Sequence, residues 1–272
     1  MPQEANSSLV AQLKAWRNGI DFELRWWDEW MQTRGLEWPD LFAERMRADR
    51  PFSLDYVRPG TPLDSLKVLD VGAGPITSLG LAIEGRPIDL TACDPLAPFY
   101  AALAARHSIE FPLKTEQAFA EDLTSFYALE AYDLVYCRNA LDHSFDPIRA
   151  IGQMLMVARP AGRVFLEHHA NEAENAAYDG FHQWNFDVRD GRFIVWNKTH
   201  DIDASALFAP GAQVTATKSD NWVVVCFDKI ADAPADKDRL LPQANDRIKE
   251  LLAAMLASSA EDHLEAISAP RA

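Results

Sequence analysis

Cysteine is scarce in this chain: there are three among 272 residues, Cys93, Cys137 and Cys226, far apart and each inside an apolar run. Neither a zinc-ligand spacing nor a disulfide framework can be read from them, which fits a reducing compartment. Basic charge is also short, with 26 Lys and Arg against 41 Asp and Glu, a formal net charge of −15 and a pI near 4.8. Phosphate backbones and anionic lipid attract the opposite balance, so neither nucleic acid nor membrane is an expected partner. Long hydrophobic runs are missing, since no stretch approaches the roughly 18 apolar residues that cross a bilayer. The start, Met1-Pro-Gln-Glu-Ala-Asn, lacks the basic and apolar regions of a secretory leader. A soluble, cytoplasmic protein is the expectation. The rest of the composition is that of a globular protein, 48% hydrophobic and 25% charged, with enough apolar side chains for a continuous core and no internal repeat.

At this length the chain should form one large domain with appendages, or two small domains. Five of the eight tryptophans (Trp16, Trp26, Trp27, Trp30, Trp38) fall in the first 38 residues and set an N-terminal segment apart. Residues 1–60 read as a helical cap. Within it Phe22, Trp26 and Trp30 recur at i, i+4 and i+8, which puts three rings on one helix face. Packing is the expected use of that stripe, with a substrate-facing wall as the alternative. Arg58-Pro-Gly-Thr-Pro62 then punctuates the chain. From Lys67 short apolar runs alternate with helix-length segments, the rhythm of βαβ units and a parallel sheet. Strands are expected at 67–71, 89–93, 132–137 and 163–168, and helices at 78–84, 98–107 and 147–158. Asp190-Gly191 predicts a hairpin between 184–188 and 192–196. A second strand pair follows at 212–217 and 221–228, and residues 237–258 carry a helical pattern. The expected division is 1–60, 61–230 and a C-terminal helix and tail, 231–272.

The most informative stretch is Lys67-Val-Leu-Asp-Val-Gly-Ala-Gly-Pro-Ile-Thr77, a strand running into a glycine-rich turn. Glycines at 72 and 74 remove the Cβ atoms that would keep a ligand from the main chain. A dinucleotide site of the G-x-G-x-x-G kind would want glycine at 77, where this chain has Thr77 and the next glycine is Gly80. The second strand ends in Asp94-Pro95-Leu96, and a carboxylate at that tip can accept both hydroxyls of a ribose. A nucleoside cofactor follows from the pair of features. Asp70, inside an apolar strand, needs donors, which the amides of the glycine turn could supply while it shapes the loop.

Val68-Leu-Asp-Val-Gly-Ala-Gly74, Cys93-Asp-Pro95, Ala120-Glu-Asp-Leu123, Tyr132-Asp-Leu-Val-Tyr136, Asn139-Ala-Leu-Asp-His143 with Asp146-Pro147, and Arg159-Pro-Ala-Gly-Arg-Val164 occur in this order. Over residues 65–170 this set resembles the class I S-adenosylmethionine-dependent methyltransferases, most closely the broad "type 11" group. The resemblance implies an α/β fold, a Rossmann-like and mostly parallel sheet whose last strand is antiparallel, here with an N-terminal helical appendage and an inserted β-hairpin. It implies S-adenosyl-L-methionine as cofactor, with Gly72, Ala73 and Gly74 under its amino-acid part and Asp94 on the ribose. Residues Phe119, Ala120 and Glu121 would meet the adenine. The position often held by an adenine-binding Asp is Phe119 here, which leaves the amino group to Glu121 or to backbone. Arg138 and Asn139 would line the methionine moiety and the reactive methyl.

Ligands of open α/β sheets sit beyond the carboxyl ends of the strands. Four of the seven histidines lie between 143 and 182, and His143, His169 and His182 are the candidate bases. His168 and His169 are neighbours on a strand, so at most one of them should face the cleft. No metal is expected, because Asp142, Glu172 and His182 have no recognised ligand spacing. Residues 171–197 fall outside the common core of the family and read as a substrate-side insertion. Tyr178, Phe181, His182, Trp184 and Trp196 give it rings and polar donors suited to a sugar, or simply to packing on the sheet. This segment is also loosely similar to methyltransferases of bacterial polysaccharide loci. The expected activity is methyl transfer to a small-molecule or carbohydrate acceptor, in all expectation at oxygen. The alternatives are a cofactor-binding regulator or scaffold without transfer activity and, disfavoured by Thr77, an NAD-linked oxidoreductase. Oligomeric state is not legible.

Overall fold

The computed structural model describes residues 2–230, so the expected helix at 237–258 lies outside the described residues. In chain order the elements are α1 (Pro2–Thr33), α2 (Pro39–Arg45), β1 (Lys67–Val71), β2 (Ala82–Ile83), β3 (Arg86–Pro87), β4 (Asp89–Cys93), α3 (Ala97–Arg106) and β5 (Thr115–Glu116). They continue with β6 (Tyr132–Arg138), α4 (Pro147–Val157), β7 (Ala158–His169), α5 (Glu172–Asn175), β8 (Asn185–Arg189), β9 (Arg192–Trp196), β10 (Asp201–Asp203), α6 (Ala204–Phe208), β11 (Ala212–Ser219) and β12 (Trp222–Lys229). Seven strands form the main sheet in the order β11-β12-β7-β6-β1-β4-β5. β1 runs parallel to both β4 and β6. β12 is antiparallel to β7 and to β11. This is the Rossmann-like sheet with an antiparallel final strand. Val68, Leu69 and Val71 are all buried, as expected of a parallel strand covered on both faces. The chain leaves β1 for a neighbour on one side (β4) and later enters β6 on the other. The turn after β1 therefore stands at the point where the winding direction reverses, the usual place for a ligand crevice.

Helix α4 starts where the sequence marks it: the Asp146 side chain accepts from the Arg149 amide at 2.9 Å, with Pro147 in the first turn. The hairpin β8–β9 turns through Asp190 and Gly191, both with positive φ (51° and 73°), and gains a third strand, β10. Its inner residues Phe186, Phe193 and Val195 join the core beside Val223, Val225 and Phe227 of β12, so this small sheet is held by apolar burial.

One sequence expectation fails and two are amended. No helix forms at 78–84. Gly80 is pressed against the backbone of Pro51, the amides of Leu81 and Ala82 donate to Arg50 O, and Phe52 N donates to Ala82 O. The buried Arg50 guanidinium donates to the carbonyls of Thr77 and Leu79. The main-chain groups that would have closed helical turns are thus used by a strand-like neighbour. The strand expected at 163–168 begins at Ala158, because Arg159-Pro-Ala-Gly162 is absorbed as an irregularity in its register with β6. The aromatic stripe of α1 serves packing only in part, since Phe22, Trp26 and Trp30 all line the cavity described below, the alternative use. Trp16, Ile20, Leu24, Trp27 and Met31 form the buried face together with Trp30, whereas Phe22 and Trp26 are 50% and 38% exposed. That face packs on Phe99, Tyr100 and Leu103 of α3. Gly19 lies against the ring of Phe181, which joins α1 to the segment after α5.

Candidate active site

Gly72 and Gly74 have φ of +71° and +63°, the left-handed region that side chains with a Cβ rarely occupy. The turn is pinned from the next strand, since the amides of Gly72 and Ala73 donate to Cys93 O at 2.8 and 3.1 Å. The Thr115 hydroxyl donates to Gly74 O at 2.9 Å. A Cβ at Gly72 would stand 2.5 Å from Cβ of Ala140, and one at Gly74 would stand 2.9 Å from Cζ2 of Trp27. The glycines therefore serve close packing as well as ligand access. Asp94 closes the arrangement, accepting from Gly74 N at 3.1 Å and from Leu96 N at 2.8 Å, one bond to each oxygen.

The donor to Asp70 differs from the one expected. The Thr77 hydroxyl donates to it at 2.5 Å and accepts from Leu79 N at 3.0 Å, while the turn amides go elsewhere. Thr77 thus stands where a dinucleotide fingerprint has glycine and uses its side chain to hold the loop. Burial pushes the carboxyls of Asp70 and Asp94 up to about 7, against the relief given by Thr77 and by the Leu96 amide respectively. Burial likewise takes Glu121 to about 7. Its Oε1 accepts from the amides of Phe145 and Asp146 at 2.9 and 3.4 Å, which commits that oxygen to the loop before α4.

A cavity of about 740 Å³ opens above the turn, within the range of small-molecule sites. All fifteen residues singled out from the sequence line it: Asp70, Gly72, Ala73, Gly74, Asp94, Pro95, Leu96, Phe119, Ala120, Glu121, Arg138, Asn139, His143, His169 and His182. Asn139, with φ +46°, accepts the His169 amide on its Oδ1 at 3.0 Å. Arg138 pairs with Glu167 at 3.0 Å and lies 4.9 Å over the Trp222 ring. His169 stacks on the same ring at 4.0 Å and faces the cavity. His168 turns away toward Phe186, and burial pulls it down to about 4.

Beside the cavity three groups converge, two of them, His143 and His182, among its lining residues. His182 Nδ1 lies 2.8 Å from Asp142 Oδ2, His143 Nε2 lies 3.3 Å from the same oxygen, and the two ring nitrogens are 3.2 Å apart. Burial works to raise the Asp142 carboxyl, but the charges of His143 and His182 and the His182 hydrogen bond outweigh it and hold it below the ordinary range. For His182 burial works downward, and Asp142 outweighs it to leave the imidazole raised.

Sequence reading missed one contributor and weighed a second, Glu172, only as a metal donor. Arg45 reaches the cavity from α2, where burial and then the charges of Arg138 and Arg50 lower its guanidinium to about 10. A single Arg in a short helix has no motif to mark it. Glu172, at the start of α5, also lines the cavity, and its Oε2 is buried without a hydrogen-bond partner among the described residues. Of the rings in the inserted segment, Phe181 and His182 reach the cavity. Trp184 is buried beside it, and Trp196 donates its Nε1 proton to Asn171 Oδ1 at 3.0 Å.

Fold and cradle together define a class I S-adenosylmethionine-dependent methyltransferase. Comparison with known proteins supplies the family: residues 27–203 match a methyltransferase domain family, and the chain belongs to it. It is 30% identical over 148 residues to the ubiquinone biosynthesis O-methyltransferase of Xylella fastidiosa, covering 53% of this chain and 54% of that protein. It is 32% identical over 145 residues to the enzyme of the same name from Xanthomonas campestris, covering 52% and 55%. The chain thus spans about half the length of the curated relatives it matches. Among solved structures, an S-adenosylmethionine-dependent methyltransferase from Mesorhizobium loti aligns with a TM-score of 0.40 at 15% identity, covering 71% of this chain and 97% of that one. The CurJ carbon methyltransferase aligns with a TM-score of 0.46 at 12% identity, covering 65% and 51%. No helix among the described residues is long and apolar enough to cross a membrane.

A pH dependence follows from Asp94. An ionised carboxylate can accept two hydroxyls, the part expected of Asp94 toward a ribose, whereas the neutral acid keeps a proton of its own and loses one acceptor. Affinity for S-adenosylhomocysteine should be full above about 7, where burial has moved this acid. It should fall as pH drops through that value, by at most about tenfold per pH unit. Calorimetric titrations at several pH values check this, and Asp94→Asn should flatten the curve.

Proposed function

We propose that the protein transfers the methyl group of S-adenosylmethionine to an oxygen of a small-molecule or glycan-like acceptor. One observation carries the reading: the glycine cradle with Asp94 and the three imidazoles His143, His169 and His182 line the same cavity. The residues fit the cofactor, because positive-φ glycines give access to main chain and the Asp94 carboxylate stands one strand away. Asp94 would hold the ribose, Phe119 and Ala120 the adenine, and Gly72 to Gly74 with Asn139 the amino-acid end, where Arg45 faces the carboxylate. When bound, the cofactor supplies an electrophilic methyl on a sulfonium. The protein's part is alignment and proton removal. Holding the acceptor oxygen in line with that methyl is worth about 7–11 kcal/mol in the best oriented cases. The hydroxyl proton leaves as the oxygen–carbon bond forms, and an imidazole facing the cavity is the group suited to receive it. The names of the matched relatives, which are O-methyltransferases, favour oxygen.

The test incubates the purified protein with methyl-labelled cofactor and a panel of phenols, hydroxylated sugars, carboxylates and amines. Label appearing in ethers of the hydroxylated members is the expected result. Transfer confined to amines or carboxylates overturns the oxygen assignment, and cofactor binding without transfer to any acceptor overturns the enzymatic reading of the site.

A further inference from the structure

We propose that Asp142, His143 and His182 form a binding site for a divalent transition-metal ion of the zinc class, with its open position facing the methyl-transfer cavity. The inference rests on the O-methylation reading above and deepens it. An ion of this class binds imidazole nitrogen and carboxylate oxygen at about 2.0–2.2 Å with tetrahedral geometry, which places neighbouring donors a little over 3 Å apart. Here the three separations are 2.8, 3.2 and 3.3 Å, and they involve one atom from each residue: Asp142 Oδ2, His143 Nε2 and His182 Nδ1.

Hydrogen bonding accounts poorly for this arrangement. Two imidazole N–H groups serving a carboxylate could take one oxygen each. Instead both nitrogens converge on Oδ2, while Oδ1 of Asp142 is buried without a partner among the described residues. Two neutral imidazoles cannot both donate to Oδ2 and bond each other, whereas three ligand atoms gathered this closely suit a cation. Asp142 is buried and the two histidines are half-buried and line the cavity. Three protein ligands around an open fourth position are the mark of a metal site that takes a substrate oxygen, as opposed to a closed structural one. Glu172, whose Oε2 is buried and unpartnered among the described residues, lines the same cavity as a further oxygen donor. No spacing in the sequence announces the site, because His182 reaches the Asp142-His143 pair from a segment 39 residues away from His143.

The site selects the acceptor chemistry. A hydroxyl, alone or with a neighbouring oxygen as in a vicinal diol, would coordinate the ion and lose its proton more readily than in water. His169, which is outside the ligand set and faces the same cavity, is left to receive that proton.

The experiment uses the full chain freed of metal by chelator and dialysis, titrated with Co2+ as a spectroscopic probe and then with Zn2+ in competition, without any acceptor present. One Co2+ per chain with the visible absorption of a low-coordinate nitrogen and oxygen site, displaced by Zn2+, is expected. Affinity should drop in His182→Ala, His143→Ala and Asp142→Asn by more than about 100-fold, beyond the loss typical of partners outside a coordination shell. Calorimetric binding of S-adenosylhomocysteine shows that each variant is folded. Should a variant fail to fold, the native protein's stoichiometry and spectrum still decide. Absence of stoichiometric uptake, or uptake unchanged in a folded His182→Ala, overturns the metal site. An unchanged methylation rate in chelator-treated protein overturns it too and leaves the O-methylation reading standing. Failure of that reading has a different signature: Co2+ binds as described, but no hydroxylated acceptor is methylated.

Discussion

Asp94→Ala is expected to weaken binding of S-adenosylhomocysteine at least tenfold while leaving the unfolding temperature of the cofactor-free protein nearly unchanged. Each hydrogen bond between a ribose hydroxyl and an ionised carboxylate contributes about 1.5–3 kcal/mol. Losing even one of a pair therefore costs about a factor of ten or more. Stability is a separate matter, because two opposed effects act there. The amides of Gly74 and Leu96 lose their acceptors, which destabilises. Yet the carboxyl removed is one whose ionised form burial already disfavours, with its pKa near 7, so its loss relieves a cost. Isothermal titration and thermal unfolding read the two effects independently. An affinity unchanged from the native protein would place the ribose on some other group, and the cradle described here would lose its main anchor.

Gly80→Ala should have the largest effect on stability of any single methyl added to this chain. A Cβ at that position runs into the carbonyl and carbon of Pro51 and the amide of Phe52. All of these are backbone atoms held by the Leu81, Ala82 and Phe52 hydrogen bonds. A flexible side chain could swing away, but paired main chain cannot. Relief must come from parting the two segments, at a cost of about 3 kcal/mol or more. For a protein of this size that corresponds to a fall in unfolding temperature of roughly 6–12 °C. Gly85→Ala is the control, since nothing stands within 4 Å of a Cβ there, though its φ of +76° brings a backbone penalty of its own. If Gly80→Ala melts no lower than Gly85→Ala, the close pairing of 50–52 with 79–82 is wrong.

The central sheet was legible because its strands are short, nearly continuous apolar runs with turn residues between them. The hairpin was legible because Asp190-Gly191 marks a turn that admits positive φ. Helices at 98–107 and 147–158 were foreseen to within a residue or so, the second through the Asp146-Pro147 start. The failures share one physical origin, the contribution of distant chain. Residues 78–84 have a helical pattern, but Arg50 to Phe52 claim their backbone, and no local pattern reports a competitor some 30 positions upstream. The stripe of Phe22, Trp26 and Trp30 is a correct periodicity that turns to the cavity more than to the core: Ile20, Leu24, Trp27 and Met31 repeat just as regularly, and only the docking against α3 decides which face is buried. The residues singled out at strand ends line one cavity, since topology brings those tips together. The candidate site was read poorly where it depends on partners from elsewhere, as with Arg45 from α2 or the meeting of His182 with Asp142.

The contact of Trp27 with Gly74 has a further consequence. A helix from the first part of the chain forms one side of the cavity proposed to hold the cofactor, so seating of the helix and occupancy of that cavity would be thermodynamically linked. Whatever fills the chamber tightens α1 onto the sheet, and whatever frays α1 loosens the grip on what is inside. Protease resistance and indole fluorescence of residues 16–38 should therefore change when S-adenosylhomocysteine is added, before any chemistry takes place.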